Sequence, residues 1–291
     1  MTWGVERIQR LGLMLVLAFS TAGCADLDFV KMFSTAGKQA QGRFPFLVAD
    51  LEASCVRRVD YKQLANSNTD QSSFAEDEQK ECNKYAQYQP ALLDAGNTFF
   101  AYMDALGALA SNKRSNIPLG LTEVVNHSSK FNVEQKKAFK GLSQFVLDEL
   151  TQNYRQSKLA KVIKAHNGDV QIGVTKLKSI LVSDYKALLR NEEQEMRNYY
   201  LTKIKEDADC NSLAVVLVEL QWRNDRITLA KRQAGADAFG KMLTNIAMTH
   251  GQLAADASKL DSQAVLKSAL QGAAKIAQLA GEFAASYPSG R

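Results

Sequence analysis

The chain has 291 residues, 46% of them hydrophobic, with 36 Lys+Arg against 31 Asp+Glu and a formal net charge of +5. That length supports a substantial core, and so small a basic excess, alternating in sign along the chain, describes solvated helix faces and excludes a nucleic-acid-binding track. With only four prolines, Pro45, Pro90, Pro118 and Pro288, and none from Leu119 to Tyr287, the chain reads as helix after helix, an all-α fold.

In chain order, Arg7 and Arg10 lead into the apolar stretch Leu11 to Phe19 and then into Ser20, Thr21, Ala22, Gly23 and Cys24. A basic start, an apolar centre shorter than the roughly 20 residues of a membrane-crossing helix, and small residues at the end form a three-part export signal. The small residues before Cys24 resemble the lipobox of bacterial lipoproteins. The resemblance covers the leader alone. It implies cleavage before Cys24, transfer of a diacylglyceryl group to its sulfur and acylation of the new N-terminus. Several acyl chains together anchor stably, since each buried methylene adds about 0.8 kcal/mol. Ala25 stands where an Asp holds many enterobacterial lipoproteins in the inner membrane, so the expected location is the outer membrane, facing the periplasm. Residues 1–23 are then a leader, 24–44 a lipid-anchored tether with partial helix, 45–287 a helical bundle and 288–291 a flexible tail.

Helices are predicted near Phe46 to Leu64 and Ser73 to Ser111, with Pro90 kinking or dividing the second. Cys55 and Cys82 flank the polar stretch Asn66 to Ser73, which lets the two helices fold back on each other. In an oxidising periplasm these cysteines are expected to pair, and the closed loop of about 27 residues contributes on the order of 3 kcal/mol. Cys210 is then free, or it displaces one of the other two. Asn132, followed three places later by Gln135, has the form of a capping box and starts a helix reaching His166. Asn167, Gly168 and Asp169 read as a stop, a left-handed turn and a restart. The next helix runs to Lys205, Glu206 to Ser212 is a polar joint, and Asp261 is the expected N-cap of a final helix ending near Ser286.

Between the joint and Asp261 lies a heptad seam: Val215, Val218, Trp222, Asp225, Leu229, Arg232, Ala236, Phe239, Leu243, Ile246, His250, Leu253, Ala257 and Leu260 follow at alternating steps of three and four. A helix of about 46 residues is ~70 Å long, too long for a compact globule of this size. The expected architecture is therefore an elongated antiparallel bundle of long, coiled-coil-like helices at shallow crossing angles. Asp225, Arg232 and His250 are polar members of the seam. They are either a pocket within the bundle or, the favoured reading, polar layers that fix alignment, with His250 a hydrogen-bonded filler. Phe99, Phe100, Tyr102 and Met103 read as core, Glu192, Glu193, Glu195, Tyr199 and Tyr200 as a solvated helix end, and Glu123 with His127 as a surface pair.

The sequence carries no Cys-x-x-Cys, His-Glu-x-x-His, Gly-x-Ser-x-Gly or phosphate-loop motif. His127, His166 and His250 fall in separate segments, and none follows a Glu by three places, as a bundle di-iron site requires. The Gly-Leu-Met-Gln-like segment of helical lytic transglycosylases and the His-x-x-Glu of imelysin-like lipoproteins are missing from the helical part. No catalytic residue, metal or cofactor is expected. The expected partners are the membrane, through Cys24, and another envelope protein or a secreted effector, met by a non-enzymatic helical bundle. The alternative is a small-ligand binder or enzyme with its site between helices near Asp225, Arg232 and His250.

Overall fold

The computed structural model describes residues 27–66, 72–111, 128–151, 158–207, 212–260 and 262–287. The helices among them are α1 (Asp28–Gln41), α2 (Phe44–Leu64), α3 (Ser72–Ala86), α4 (Gln89–Ser111), α5 (Val133–Thr151), α6 (Leu159–Lys178), α7 (Tyr185–Asp207), α8 (Ser212–Ala255) and α9 (Gln263–Ser286). A π-helical segment, Ser179–Asp184, carries α6 into α7 without a break, and a 3-10 turn, Ala257–Lys259, follows α8. Together they form an all-α bundle. The expected leader with Cys24, the Glu123 and His127 pair, Cys210, Asp261 and residues 288–291 lie outside the described residues.

Side-chain pairings give the helix directions. Along α6 and α7 the numbers rise, Gln171, Lys178, Lys186, Glu192, Tyr200, while their partners on α8 fall, Ala247, Thr244, Asp237, Arg232, Asp225. The two rods are therefore antiparallel over most of α8, whose 44 residues span about 66 Å at about 1.5 Å per residue. α9 returns along α8, with Phe239 against Phe283 and Gly235 against Tyr287. α1 lies between α4 and α9, and α2 packs on α3 and α7. The seam predicted for α8 is the core-facing side of that helix: Leu229, Ala236, Phe239, Leu243, Ile246, His250 and Leu253 are buried. Phe99, Phe100, Tyr102 and Met103 are likewise buried in α4.

The tether expected at 24–44 is instead α1, a full member of the bundle. Phe29, Val30, Phe33, Ala36, Gly37 and Ala40 recur at helical spacing and are buried. Gly107 makes this packing close, because a Cβ there would lie 2.3 Å from that of Ser34. Burying two phenylalanines and a valine contributes roughly 5 kcal/mol or more, enough to hold a short helix that is marginal alone.

The break expected at Asn167 to Asp169 is also absent, since α6 runs straight through it. Gly168 costs a helix about 1 kcal/mol, but Val162, Ile163, Val170 and Val174 on either side are buried, and the flanking polar side chains are engaged. Asn167 Oδ1 accepts from Gln171 and faces His250, while Asp169 pairs with His166 at 3.0 Å. The helix from Asn132 ends at Thr151 and not at His166. Its start is the expected capping box, with Asn132 Oδ1 accepting from Gln135 N at 2.9 Å and Gln135 Oε1 from Asn132 N at 3.0 Å. Pro90 divides the second predicted helix at Gln87 and Tyr88 and begins α4 at its second residue. The final helix is capped by Ser262, whose hydroxyl accepts from Val265 N.

Cys55 and Cys82 are bonded, with Cα atoms 5.6 Å apart, and join α2 to α3. Gln63 donates to Asp77 at 2.9 Å and Arg58 pairs with Glu81 along the same junction.

Candidate functional site

The three polar seam residues of α8 sit in three separate layers. Asp225 and Arg232 are seven residues apart, about 10 Å along the axis, and Arg232 and His250 eighteen apart, about 27 Å. They do not converge on one pocket. Asp225 accepts from Tyr61 at 2.9 Å, from Tyr200 and from Gln221 at 2.9 Å. Burial, reinforced by the Asp225 carboxylate, raises both tyrosines above their usual range, so each stays a protonated donor.

Arg232 belongs to a charge cluster that ties α8 to α2 and α7. Its guanidinium grips Glu192 with two hydrogen bonds of 2.6 and 2.8 Å and reaches Asp50 at 3.3 Å. Arg57 donates to Glu192 at 2.8 Å and to Asp50 at 2.6 Å, and Ser54 donates to Glu192 at 2.7 Å. Tyr185 donates to Asp50, and its hydroxyl lies 3.1 Å from that of Tyr287. Two cations face two anions, which is why Glu192 remains charged at 1% exposure. Burial alone pushes the Glu192 carboxyl up; the bonds and charge of Arg232 and Arg57 overcome that and hold it below its ordinary value. Burial opposes the charged Arg232 as well, and Glu192 and Asp50 reverse the effect.

The reading of Glu192 to Tyr200 as a solvated end is thereby corrected. Glu192 and Tyr200 point inward, and Tyr199 packs against Tyr61 at 5.7 Å between ring centroids. Asp50 and Arg57 are the residues sequence inspection missed, and Glu192 was read as solvated. Their signal was present only as the need of Arg232, on a buried seam, for a carboxylate partner.

His250 is buried between α4 and α6. Asn167 Oδ1, already accepting from Gln171, lies 3.1 Å from Nδ1, and the Tyr102 hydroxyl lies 2.7 Å from Nε2. The proton therefore sits on Nδ1, and Nε2 accepts from Tyr102. Burial, with the nearby His166, lowers its pKa to about 3. Both of its ring nitrogens are hydrogen-bonded within the bundle. Among the described residues no group of three or more His, Cys, Asp or Glu is placed to hold a metal ion.

An exposed apolar stripe lies on the opposite face of α8. Leu213, Val216, Leu217 and Leu220 stand at i, i+3, i+4 and i+7, with exposures of 64%, 49%, 58% and 49%, and Ile227 continues the line at 48%. The first turns of α8 thus carry two apolar faces, one on the seam and one outward. Leu64 and Leu201, exposed at the ends of α2 and α7, lie at the same end of the rod. Arg223 and Arg226 border the stripe, with Arg226 5.3 Å from the Trp222 ring. No helix among the described residues is long and apolar enough to cross a membrane. No protein-family model, curated protein or solved structure matches the chain.

Proposed function

We propose that this chain is a non-enzymatic bacterial lipoprotein of the outer membrane whose helical rod, on the periplasmic side, docks another envelope protein or a secreted effector. The observation that carries the reading is the outward stripe Leu213, Val216, Leu217 and Leu220. The occupant that suits it is an amphipathic helix bearing carboxylates beside its apolar face, opposite Arg223 and Arg226. Completing the burial of four half-exposed side chains contributes roughly 4 kcal/mol, enough to be the centre of an interface but not the whole of one.

Polarity of the rod supports the same reading. The start of α1 lies beside the end of α4, and the starts of α6 and α9 lie beside the end of α8. Leu27, already buried, is three residues from Cys24, a reach of at most ~11 Å of extended chain. A lipid on Cys24 therefore holds that end of the bundle against the membrane. The stripe begins at the other end, more than 30 residues of α8 from His250, or about 50 Å. The lipid and the docking face are separated by the length of the rod.

The test uses the full chain in its native host. With Leu217→Asp and Leu220→Asp together, the partner that co-purifies with the wild-type protein from solubilised envelopes is lost while the thermal melt is unchanged. Retention of the same partner by the double variant contradicts the assignment. The alternative reading, a site near Asp225, Arg232 and His250, has less support, because each of the three is saturated by its own neighbours.

A further inference from the structure

A second feature, independent of the stripe, lies where α3, α4 and α7 meet the residues just before α5. There the bundle opens into a cleft of about 370 Å³, within the ~300–1,000 Å³ range of small-molecule sites. Its floor is apolar, made by Leu51, Leu92, Ile180 and Leu188. One wall is the π-helical segment Ser179–Asp184 and the first turns of α7. Such segments are frequent at functional sites.

The mouth carries two lysines, Lys84 and Lys130, each lying against a tyrosine ring, with Lys176 nearby. Lys130 Nζ lies 4.1 Å from the Tyr88 ring centroid, Lys84 Nζ 5.0 Å from that of Tyr85, and Lys176 Nζ 5.4 Å from that of Phe131. Neither Lys84 nor Lys130 forms a salt bridge with another described residue. Asp184 is the one carboxylate lining the cleft. Burial and the charge of Lys130 both work against the charged form of Lys176, and Asp184 offsets them in part. An anion entering the mouth relieves this repulsion. Lysines resting on tyrosine faces are held close to the opening without being neutralised there.

We propose that this cleft binds a carboxylate with a short apolar body, its head between Lys84 and Lys130 and its hydrocarbon on the Leu51, Leu92 and Leu188 floor. A pocket apolar beneath and cationic at the rim discriminates by head-group charge as well as by hydrophobicity. A neutral alcohol of the same length keeps only the second contribution, and a quaternary ammonium meets like charge.

Titration calorimetry of the purified protein with decanoate, decanol and decyltrimethylammonium tests this. Wild type is expected to bind decanoate saturably at a stoichiometry near one, roughly tenfold or more tighter than decanol, since a charge-assisted contact exceeds a neutral one by about that factor. Decyltrimethylammonium is expected to be weaker still. Lys84→Gln with Lys130→Gln, both at exposed positions, is expected to bring decanoate down to the affinity of decanol and leave decanol unchanged. Ala187→Trp, which fills the cleft from α7, is expected to abolish binding of both. The proposal is overturned if wild type shows no saturable decanoate binding up to 1 mM, if decanoate and decanol bind alike, or if the lysine pair can be removed without effect. These outcomes are independent of whether the stripe on α8 binds a protein.

Discussion

Replacing Glu192 by Met removes the acceptor of four hydrogen bonds, two from Arg232 and one each from Arg57 and Ser54. Two guanidiniums are then left facing the single carboxylate of Asp50 inside the bundle. Removing one partner of a buried pair typically costs about 3–5 kcal/mol, because the other charge remains desolvated. Arg232→Met is expected to cost about the same, leaving Glu192 at 1% exposure with Arg57 alone. Combined, the two substitutions leave one cation, Arg57, with one anion, Asp50, and methionines of similar volume fill the space. The double variant should therefore cost much less than the sum, with an interaction energy of about 2–3 kcal/mol. Urea unfolding at pH 7, followed together by far-UV circular dichroism and Trp222 fluorescence, measures all three; coincident transitions license the subtraction. Single costs below about 1 kcal/mol, or strictly additive effects, would refute the view that this cluster clamps α2, α7 and α8 together.

Three further expectations rest on other layers. His250 is neutral when folded, its pKa lowered from 6.5 to about 3, so the unfolded chain binds the extra proton and stability is lost as pH falls below 6.5. From pH 7.5 to pH 5 the loss from this residue is about 2 kcal/mol, and in His250→Gln that acid dependence should disappear; an unchanged pH profile contradicts the burial argument. Reduction of Cys55–Cys82, or Cys55→Ala with Cys82→Ala, is expected to lower unfolding stability by about 3–4 kcal/mol from the 27-residue separation, with faster amide exchange concentrated in α3. Cys24→Ala is expected to give a form that leaves the membrane fraction, and continued partition of a processed variant with membranes speaks against a lipid anchor.

Much of the architecture was legible from spacing alone. The seam of α8 and the capping box at Asn132 are local patterns whose physics does not depend on the rest of the chain, and the Cys55–Cys82 pairing followed from the polar turn between them together with the expected oxidising compartment. What escaped is what tertiary contact decides. Asn167-Gly168-Asp169 has every local mark of a break, yet His250, Gln171 and His166 occupy the two polar side chains and buried valines hold the flanks in register. α1 has the 3–4 spacing of an amphipathic helix, but its position after the expected leader made it read as a tether. The acidic run at Glu192 looks solvated until Arg232 is known to face inward, and no pattern announces the π-helical segment or the cleft beside it. The stripe from Leu213 to Leu220 was hidden by the seam, because one helix was assigned one apolar face.

The docking face proposed on α8 is tested most directly by a photoreactive amino acid placed at Leu217 in the living host, with Lys275, exposed on α9, as the control position. Irradiation is expected to yield one discrete adduct with a different envelope or secreted protein from Leu217 and none from Lys275. No adduct from Leu217, an adduct with a second copy of this chain alone, or the same adduct from both positions contradicts the account.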